Sequence, residues 1–261
     1  MKLDEIKTGL NTSILGKEII FYPETTSTND VAIELAENGA VEGTLVIADS
    51  QSMGRGRRGR KWLAPPETCI LASIILRPSL PLRQISIITP IAVTSVVKAI
   101  HNVTKLNASV KWPNDVIIMD RKVSGVLTEM RTERKISFII VGIGVNVNVS
   151  RDSFPLEISD TATSLSIESG HDVSRIHLLQ EILRHFENRY LRLNDNTFNE
   201  FLDEWKSLSV TIGKRIQIES VDDTRRGVAL DIDEVGALII QLDNGKIQKI
   251  ANDDLVKVRA I

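Results

Sequence analysis

The sequence is short of most things that would tie a protein to a single chemistry. Among 261 residues there is one cysteine, Cys69. No disulfide can form within the chain, and one thiol cannot build a zinc site. Cys69 lies in the apolar run Cys-Ile-Leu-Ala and reads as a small core residue rather than a nucleophile. The histidines, His101, His171, His177 and His185, fall in no metal-ligand spacing. Charge of one sign is also lacking: the formal net charge is −2, so the body as a whole is no polyanion binder. There is no uninterrupted run of 18 apolar residues and no basic-then-apolar start of the secretory kind, so the expected compartment is the cytoplasm, with no membrane partner. Internal repeats and low-complexity tracts are missing too. With 42% hydrophobic and 25% charged residues, what remains is an ordinary globular chain, long enough for one large domain or a medium and a small one.

What the sequence does have is concentrated in Gln51-Ser-Met-Gly-Arg-Gly-Arg-Arg-Gly-Arg-Lys-Trp62. Gly54, Gly56 and Gly59 alternate with Arg55, Arg57, Arg58 and Arg60. Glycine lets backbone N–H groups approach a ligand closely. Arginine brings a planar fork of donors that matches carboxylate or phosphate. The pattern describes a cationic cradle for an anion, expected to be mobile until the anion neutralises it. A strand, Thr44–Asp49, delivers the chain to this loop. No helix with Walker spacing follows, so the loop is not a P-loop.

The rest of the chain supplies a scaffold. Glu18–Phe21 reads as a first strand, and Ser27 or Thr28 as the N-cap of a helix that stops at Asn38-Gly39. Those hydroxyls and Asn29 either cap or face a ligand. Cys69–Leu76 reads as a buried strand ended by Pro78. Thr89-Pro90 starts a helix with Val93, Val96, Val97 and Ile100 on one face. Pro113 breaks the chain and presents Asn114 and Asp115 on a turn. Val116–Met119 and Lys122–Glu129 read as a strand pair about Asp120-Arg121, and Lys135–Asn148 as a long strand in which Gly142 and Gly144 mark close approach. Arg151–His171 reads as irregular. Helices follow from Ser174 and over Thr197–Ser207, with apolar stripes that suit a core. From about residue 210 short strands take over, with a hairpin turn at Asp243-Asn-Gly245. Two domains are expected, 1–209 and 210–261.

Taken together, the Gly/Arg loop, Lys111-Trp-Pro-Asn-Asp115, Lys122-Val-Ser-Gly125 and Gly142-Ile-Gly-Val-Asn146 resemble, in this order and spacing, the biotin–protein ligases. The resemblance runs from about Ile20 to the end. It implies an α+β fold: a mixed, largely antiparallel sheet flanked by helices, like the catalytic domain of class II aminoacyl-tRNA synthetases, with a small C-terminal SH3-like β-barrel. Only about 16 residues precede the first strand, too few for a helix-turn-helix domain. A single-function ligase without DNA binding is therefore expected.

The family's chemistry joins biotin to ATP as biotinyl-5′-AMP, then passes the biotinyl group to a lysine of the biotin carboxyl carrier protein of a carboxylase. By the same resemblance Lys122, Arg55 and Arg57 would offset the repulsion between a carboxylate and a triphosphate. That repulsion is about 4 kcal/mol per unit-charge pair at ~4 Å and an effective dielectric near 20. Ser27, Thr28, Asn29 and Gln51 would meet the ureido ring, with Gly54, Arg55, Gly56, Arg57, Lys122, Gly125 and Gly144 around biotin. Arg57, Arg58, Arg60, Trp62, Asn114, Asp115, Lys122 and Asn146 would hold the nucleotide, and Asp115 would hold Mg2+ and serve as the catalytic carboxylate. Ser124 should point away from the ligand by strand alternation. A homodimer is expected from the same likeness.

Two other readings remain. A lipoate–protein ligase-like acyltransferase would share the fold and the adenylate logic. A nucleic-acid-binding module would use the basic loop and the C-terminal strands. Its basic clusters there, Lys214-Arg215 and Arg225-Arg226, have no aromatic among them to stack bases.

Overall fold

The chain begins with a short helix, α1 (Leu3–Thr8), and then lays down two strands and a helix that together set the direction of the main sheet. β1 (Ile19–Thr25) and β2 (Leu45–Gln51) pair in parallel, which requires a crossover, and α2 (Thr28–Glu37) provides it. The computed structural model describes residues 1–132, 136–193, 197–219, 223–251 and 257–260. β3 (Cys69–Leu76) is apolar at every position but Ser73 and is buried along its whole length. After α3 (Ile88–Thr104) come β4 (Ser109–Lys111), β5 (Asp115–Ile118), β6 (Arg121–Thr132) and β7 (Ile136–Asn146). All pairings but the first are antiparallel, giving the order β1-β2-β3-β7-β6-β5-β4. The turn between β5 and β6 falls at Met119-Asp120, one residue before the expected Asp120-Arg121, with both residues at positive φ (47° and 62°), the backbone that a two-residue hairpin turn demands.

One face of this sheet carries the core. Ile70, Ala72, Ile74, Val141, Ile143 and Val145 join one core with α3, which lies against β4, β5 and β6, and with α5 (Arg175–Arg192), which lies against β3. By length and composition the stretch Gln84–Thr104 could cross a membrane. Here it is an interior helix, shared between the sheet and α5. The helix begins at Ile88, one residue before the expected Thr89-Pro90, because a 3-10 turn over Leu82–Ile87 runs into it. The helix expected from Ser174 starts one residue later, at Arg175, with Ser174 as its N-cap, its Oγ accepting the His177 N–H at 3.2 Å. α4 (Leu165–Ser169) and α6 (Phe198–Ser207) complete the helices. α2 covers part of the opposite face, where Ala32 and Ala36 meet Val46, Ile75 and Ile140. The remainder of that face stays open.

The second sheet comprises β8 (Arg215–Glu219), β9 (Thr224–Ile232), β10 (Leu238–Leu242), β11 (Ile247–Ile250) and β12 (Lys257–Ala260), antiparallel in the order β11-β10-β9-β8-β12. Its first strand starts later than the expected residue 210. Val210 donates its N–H to the Val110 carbonyl of β4 (2.9 Å), so that segment is used to join the two sheets. The expected strand end at Ser220, the start at Leu255 and the Lys135 end of the long strand lie outside the described residues.

One carboxylate holds the segment 13–15 that leads into β1. Glu187 on α5, only 6% exposed, accepts the N–H groups of Ser13, Ile14 and Leu15 at 2.6, 2.7 and 2.8 Å, and the Ser13 hydroxyl at 3.1 Å. Burial pushes this carboxyl up, but the four hydrogen bonds outweigh it and leave its pKa below the ordinary value. A depressed pKa stabilises the fold above the unfolded-state pKa, and that contribution is lost as pH falls through the folded-state value. Glu187→Gln is therefore expected to cost about 1–3 kcal/mol at pH 7. In thermal unfolding the deficit should shrink as the pH is taken below about 4.5, the ordinary value. A deficit that stays constant down to pH 3 would refute the assignment.

Candidate active site

Strand alternation sorts the site. Leu71 and Ser73 of β3, Gly142 and Gly144 of β7, and Gly125, Leu127 and Glu129 of β6 are cross-strand neighbours on the open face. Two connected clefts lie over them. The smaller, about 30 Å3, is lined by Ser27, Thr28, Asn29, Gln51, Arg55, Trp62 and the strand glycines. The larger, about 680 Å3, runs from Trp62 and the Gly/Arg loop to Asn114, Asp115, Lys122 and Asn146. That is the size of a cleft that buries a nucleotide-sized ligand.

The floor of the small cleft is a closed polar network. Ser73 Oγ, fully buried, lies 2.8 Å from Thr28 Oγ1 and donates to Asn29 Oδ1 at 2.6 Å. Gln51 Oε1 accepts from the Thr28 N–H (2.7 Å) and from its hydroxyl (3.0 Å). Asn29 Nδ2 donates to Glu129 Oε2 at 2.8 Å. Ser27 holds the N-cap position of α2 without a side-chain capping bond. The Ser-Thr-Asn cluster therefore forms the polar floor of the cleft, with no side-chain capping bond from Ser27. Gly142 belongs to this floor: a Cβ there would strike Asn29 Oδ1.

The Gly/Arg loop is a small hairpin. The Gly56 N–H donates to the Arg60 carbonyl (2.7 Å) and the Trp62 N–H to the Gly54 carbonyl (2.9 Å). At its tip Arg58 and Gly59 both have positive φ (59° and 69°). Arg57 Nη1 reaches Asn114 Oδ1 at 3.3 Å. Arg55 turns the other way, its Nη2 at 2.9 Å from Asp30 and 2.5 Å from Glu129. Trp62 folds back over the strands. A Cβ on Gly144 would come within 2.7 Å of its indole and one on Gly125 within 3.4 Å. Lys122 Nζ lies 5.5 Å above the ring. Among the described residues the buried indole Nε1 has no hydrogen-bond partner.

Lys122 is fixed from both sides. Its N–H donates to the Thr161 carbonyl (2.7 Å) and its carbonyl accepts from Thr163 (2.8 Å). Its ammonium pairs with Asp115 at 2.6 Å. Asn114 Nδ2 donates to the Val126 carbonyl, and Asn146 Nδ2 to the Thr163 carbonyl at 3.0 Å. Trp112 precedes a cis bond to Pro113; its indole donates to the Gly236 carbonyl at 3.0 Å, so the turn of the second sheet holds this corner. Ser124 is buried, lines neither cleft and donates to the Gly144 carbonyl at 2.7 Å, as alternation requires. Cys69 is buried, and burial raises its thiol pKa to about 11, which suits a core residue.

All the predicted site residues but Gly54 line one or other of the two clefts. The sequence reading did not find Ser73, Glu129, or the wall formed by Phe154, Glu157, Ile158, Thr161 and Ala162. Ser73 had a signal, as the lone polar residue in an apolar strand; the wall had none.

Comparison with known proteins agrees with this arrangement. The profile of the Biotin/lipoate A/B protein ligase family matches residues 21–146, and that of the Biotin protein ligase C terminal domain matches residues 211–251. The "Bifunctional ligase/repressor BirA" of Bacillus spizizenii is 40% identical over 252 residues, 96% of this chain and 77% of its own length. The "Biotin--[acetyl-CoA-carboxylase] ligase" of Mycobacterium tuberculosis is 30% identical over 249 residues, 93% of this chain and 90% of its own. The structure of biotin protein ligase from Aquifex aeolicus in complex with biotin and ATP superposes with a TM-score of 0.80 at 31% identity, covering 94% of this chain and 100% of that one. The profile matches fall on the two sheets in turn and the relatives align along nearly the whole chain, which belongs to the biotin/lipoate A/B protein ligase family, among its biotin–protein ligases.

Proposed function

We infer that this chain activates biotin with ATP to biotinyl-5′-AMP and transfers the biotinyl group to a lysine of a biotin carboxyl carrier protein. One observation carries the reading: the small polar cleft and the larger one share Arg55, Trp62, Gly125 and Leu127, and Lys122, in the larger, sets its ammonium beside Gly125 at that junction, facing Trp62 of the Gly/Arg hairpin. A ring that needs donors and acceptors fits the floor of Thr28, Asn29 and Gln51, with its acid tail reaching Lys122. In the larger cleft Arg57, Arg58, Arg60, Lys61, Lys111 and Lys122 outnumber Asp115, Asp120 and Glu157, a field suited to a triphosphate. Lys122 bridges carboxylate and α-phosphate, Arg57 and Asn114 steady the nucleotide, and Asn146 lines its far wall.

Among the described residues no group of three or more His, Cys, Asp or Glu could hold a metal. A Mg2+ ion would instead be shared between Asp115 and the phosphates, the usual pattern for this cation, and would supply charge neutralisation. Asp115 also serves the second step by accepting a proton from the incoming lysine amine. An Asp115→Asn enzyme that transfers from preformed biotinyl-AMP at the normal rate would refute that. The closed hairpin then keeps water from the mixed anhydride. Residues 1–209 act as the catalytic domain and 210–261 as a separate small domain. The protein works in the cytoplasm as a homodimer joined through the catalytic sheet; sedimentation as a monomer at micromolar concentration would refute the dimer.

The test is pyrophosphate release from ATP and Mg2+ with biotin or lipoate in turn, followed by labelling of a carrier domain. Biotin-dependent release supports the reading; release with lipoate alone would move the chain to the lipoate ligases.

A further inference from the structure

We propose that Glu129 is a positioning residue for biotin capture, one that ties the floor of the ring site to the Gly/Arg hairpin. The proposal rests on the function inferred above. A single oxygen, Glu129 Oε2, accepts from Asn29 Nδ2 at 2.8 Å and from Arg55 Nη2 at 2.5 Å. Asn29 is part of the floor network through Ser73, and Arg55 is at the base of the hairpin, where its backbone bridges to Lys61. Glu129 follows Gly125 and Leu127 on the same face of β6, so a rigid strand supports the carboxylate. Asp30, on the first turn of α2, holds the same Arg55 Nη2 at 2.9 Å.

Two carboxylates on one guanidinium have a direct consequence. Arg55 faces two acids and is held at the ring-site end, whereas Lys122 faces the single Asp115 and lines the larger cleft with Arg57. Arg55 acts instead as the hinge pin of the hairpin. The ion pair is about a third exposed, 37% at Arg55 and 26% at Glu129, and alone would count for little; the same oxygen also accepts from Asn29, a buried residue of the small cleft, and that shared charge-assisted bond defines the geometry. Ordering of the floor and docking of the hairpin thereby become one event. Biotin then meets a floor already aimed and a hairpin already seated, which lowers the ordering cost of binding.

Glu129→Gln keeps the shape and an acceptor oxygen but removes the charge. It should raise the KM for biotin about tenfold, the size of one charge-assisted bond, with kcat at saturating biotin within about twofold. Tryptic cleavage between Arg57 and Lys61, mapped by mass spectrometry without ligand, should quicken by a similar factor. Glu129→Asp, which restores the charge, should return both towards wild type. Asp30→Asn, which loosens only Arg55, should quicken cleavage with a smaller change in KM. Wild-type KM and cleavage in Glu129→Gln would overturn the proposal, as would a loss confined to kcat. The cleavage readout needs no activity. If the wild-type protein fails to make biotinyl-AMP, the functional reading falls while the coupling of Glu129 to the hairpin is still decided.

Discussion

Lys122→Ala is expected to lower the rate of biotinyl-AMP formation by at least about 1,000-fold while leaving the fold intact. The reacting groups are both anions, and the ammonium at the junction of the two clefts is the cation placed to touch both. Removing one preorganised charge donor from such a site costs about 2.7–4 kcal/mol of barrier, and every 1.36 kcal/mol is tenfold in rate. Here the loss is compounded. Lys122 pairs with Asp115 at 2.6 Å, so the alanine variant leaves an uncompensated carboxylate where a triphosphate must lie. Stability should hold, because the position is pinned by backbone bonds to Thr161 and Thr163, which alanine keeps. Lys122→Arg should recover little, since a planar fork cannot occupy the place of a point charge between two reactants. The measurement is pyrophosphate release in a single turnover, with Tm as the control. A rate within tenfold of wild type would remove Lys122 from the chemistry.

Why the sequence led to Lys122 but not to the wall that holds it is a matter of range. β3 was legible at its observed ends because apolar continuity and a following proline are local facts. The β5–β6 turn was legible to within one residue for the same reason. Lys122 itself was identified by its spacing from Asp115 and Gly125. The segment from Phe154 to Thr163 has no periodicity, and its value lies in two backbone hydrogen bonds to a residue some 40 positions away. Nothing local encodes such a partner. α1 escaped notice because six residues with one buried side chain, Ile6, leave almost no stripe. Glu129 was hidden differently: an acid at the end of a strand reads as a solvated edge, until the register shows that it shares a face with Gly125. Arg55 and Arg57 illustrate the limit. In the sequence they are equivalent members of one cationic run. In space they point to opposite ends of the site, and two acids from distant elements make the difference.

Gly144→Val should weaken biotin binding by about 100-fold with only a small change in Tm. Gly144 lies between Leu71 and Gly125 on the open face, in ordinary extended backbone, so space and not conformation bars a side chain there. Valine suits a strand better than glycine does, and the added carbons point into the cleft, away from the core packed on α3. What they meet is the Trp62 indole, 2.7 Å from the first of them. That indole is half-buried on a hairpin and its Nε1 has no partner among the described residues, so displacing it is cheap. A bound ring, which takes the indole's place on Gly125 and Gly144, has no such freedom, since the floor of Thr28, Asn29 and Gln51 fixes its edge. Overpacking a defined site costs up to about 3 kcal/mol, which corresponds to the expected loss. Gly142→Ala gives the contrasting case two residues away. Its Cβ would meet Asn29 Oδ1, so it should disturb the floor network and lower Tm as well as affinity. Calorimetric titration with biotin, alongside thermal unfolding of both variants, separates the two. Undiminished biotin affinity in Gly144→Val would show that the ring does not lie on these strands.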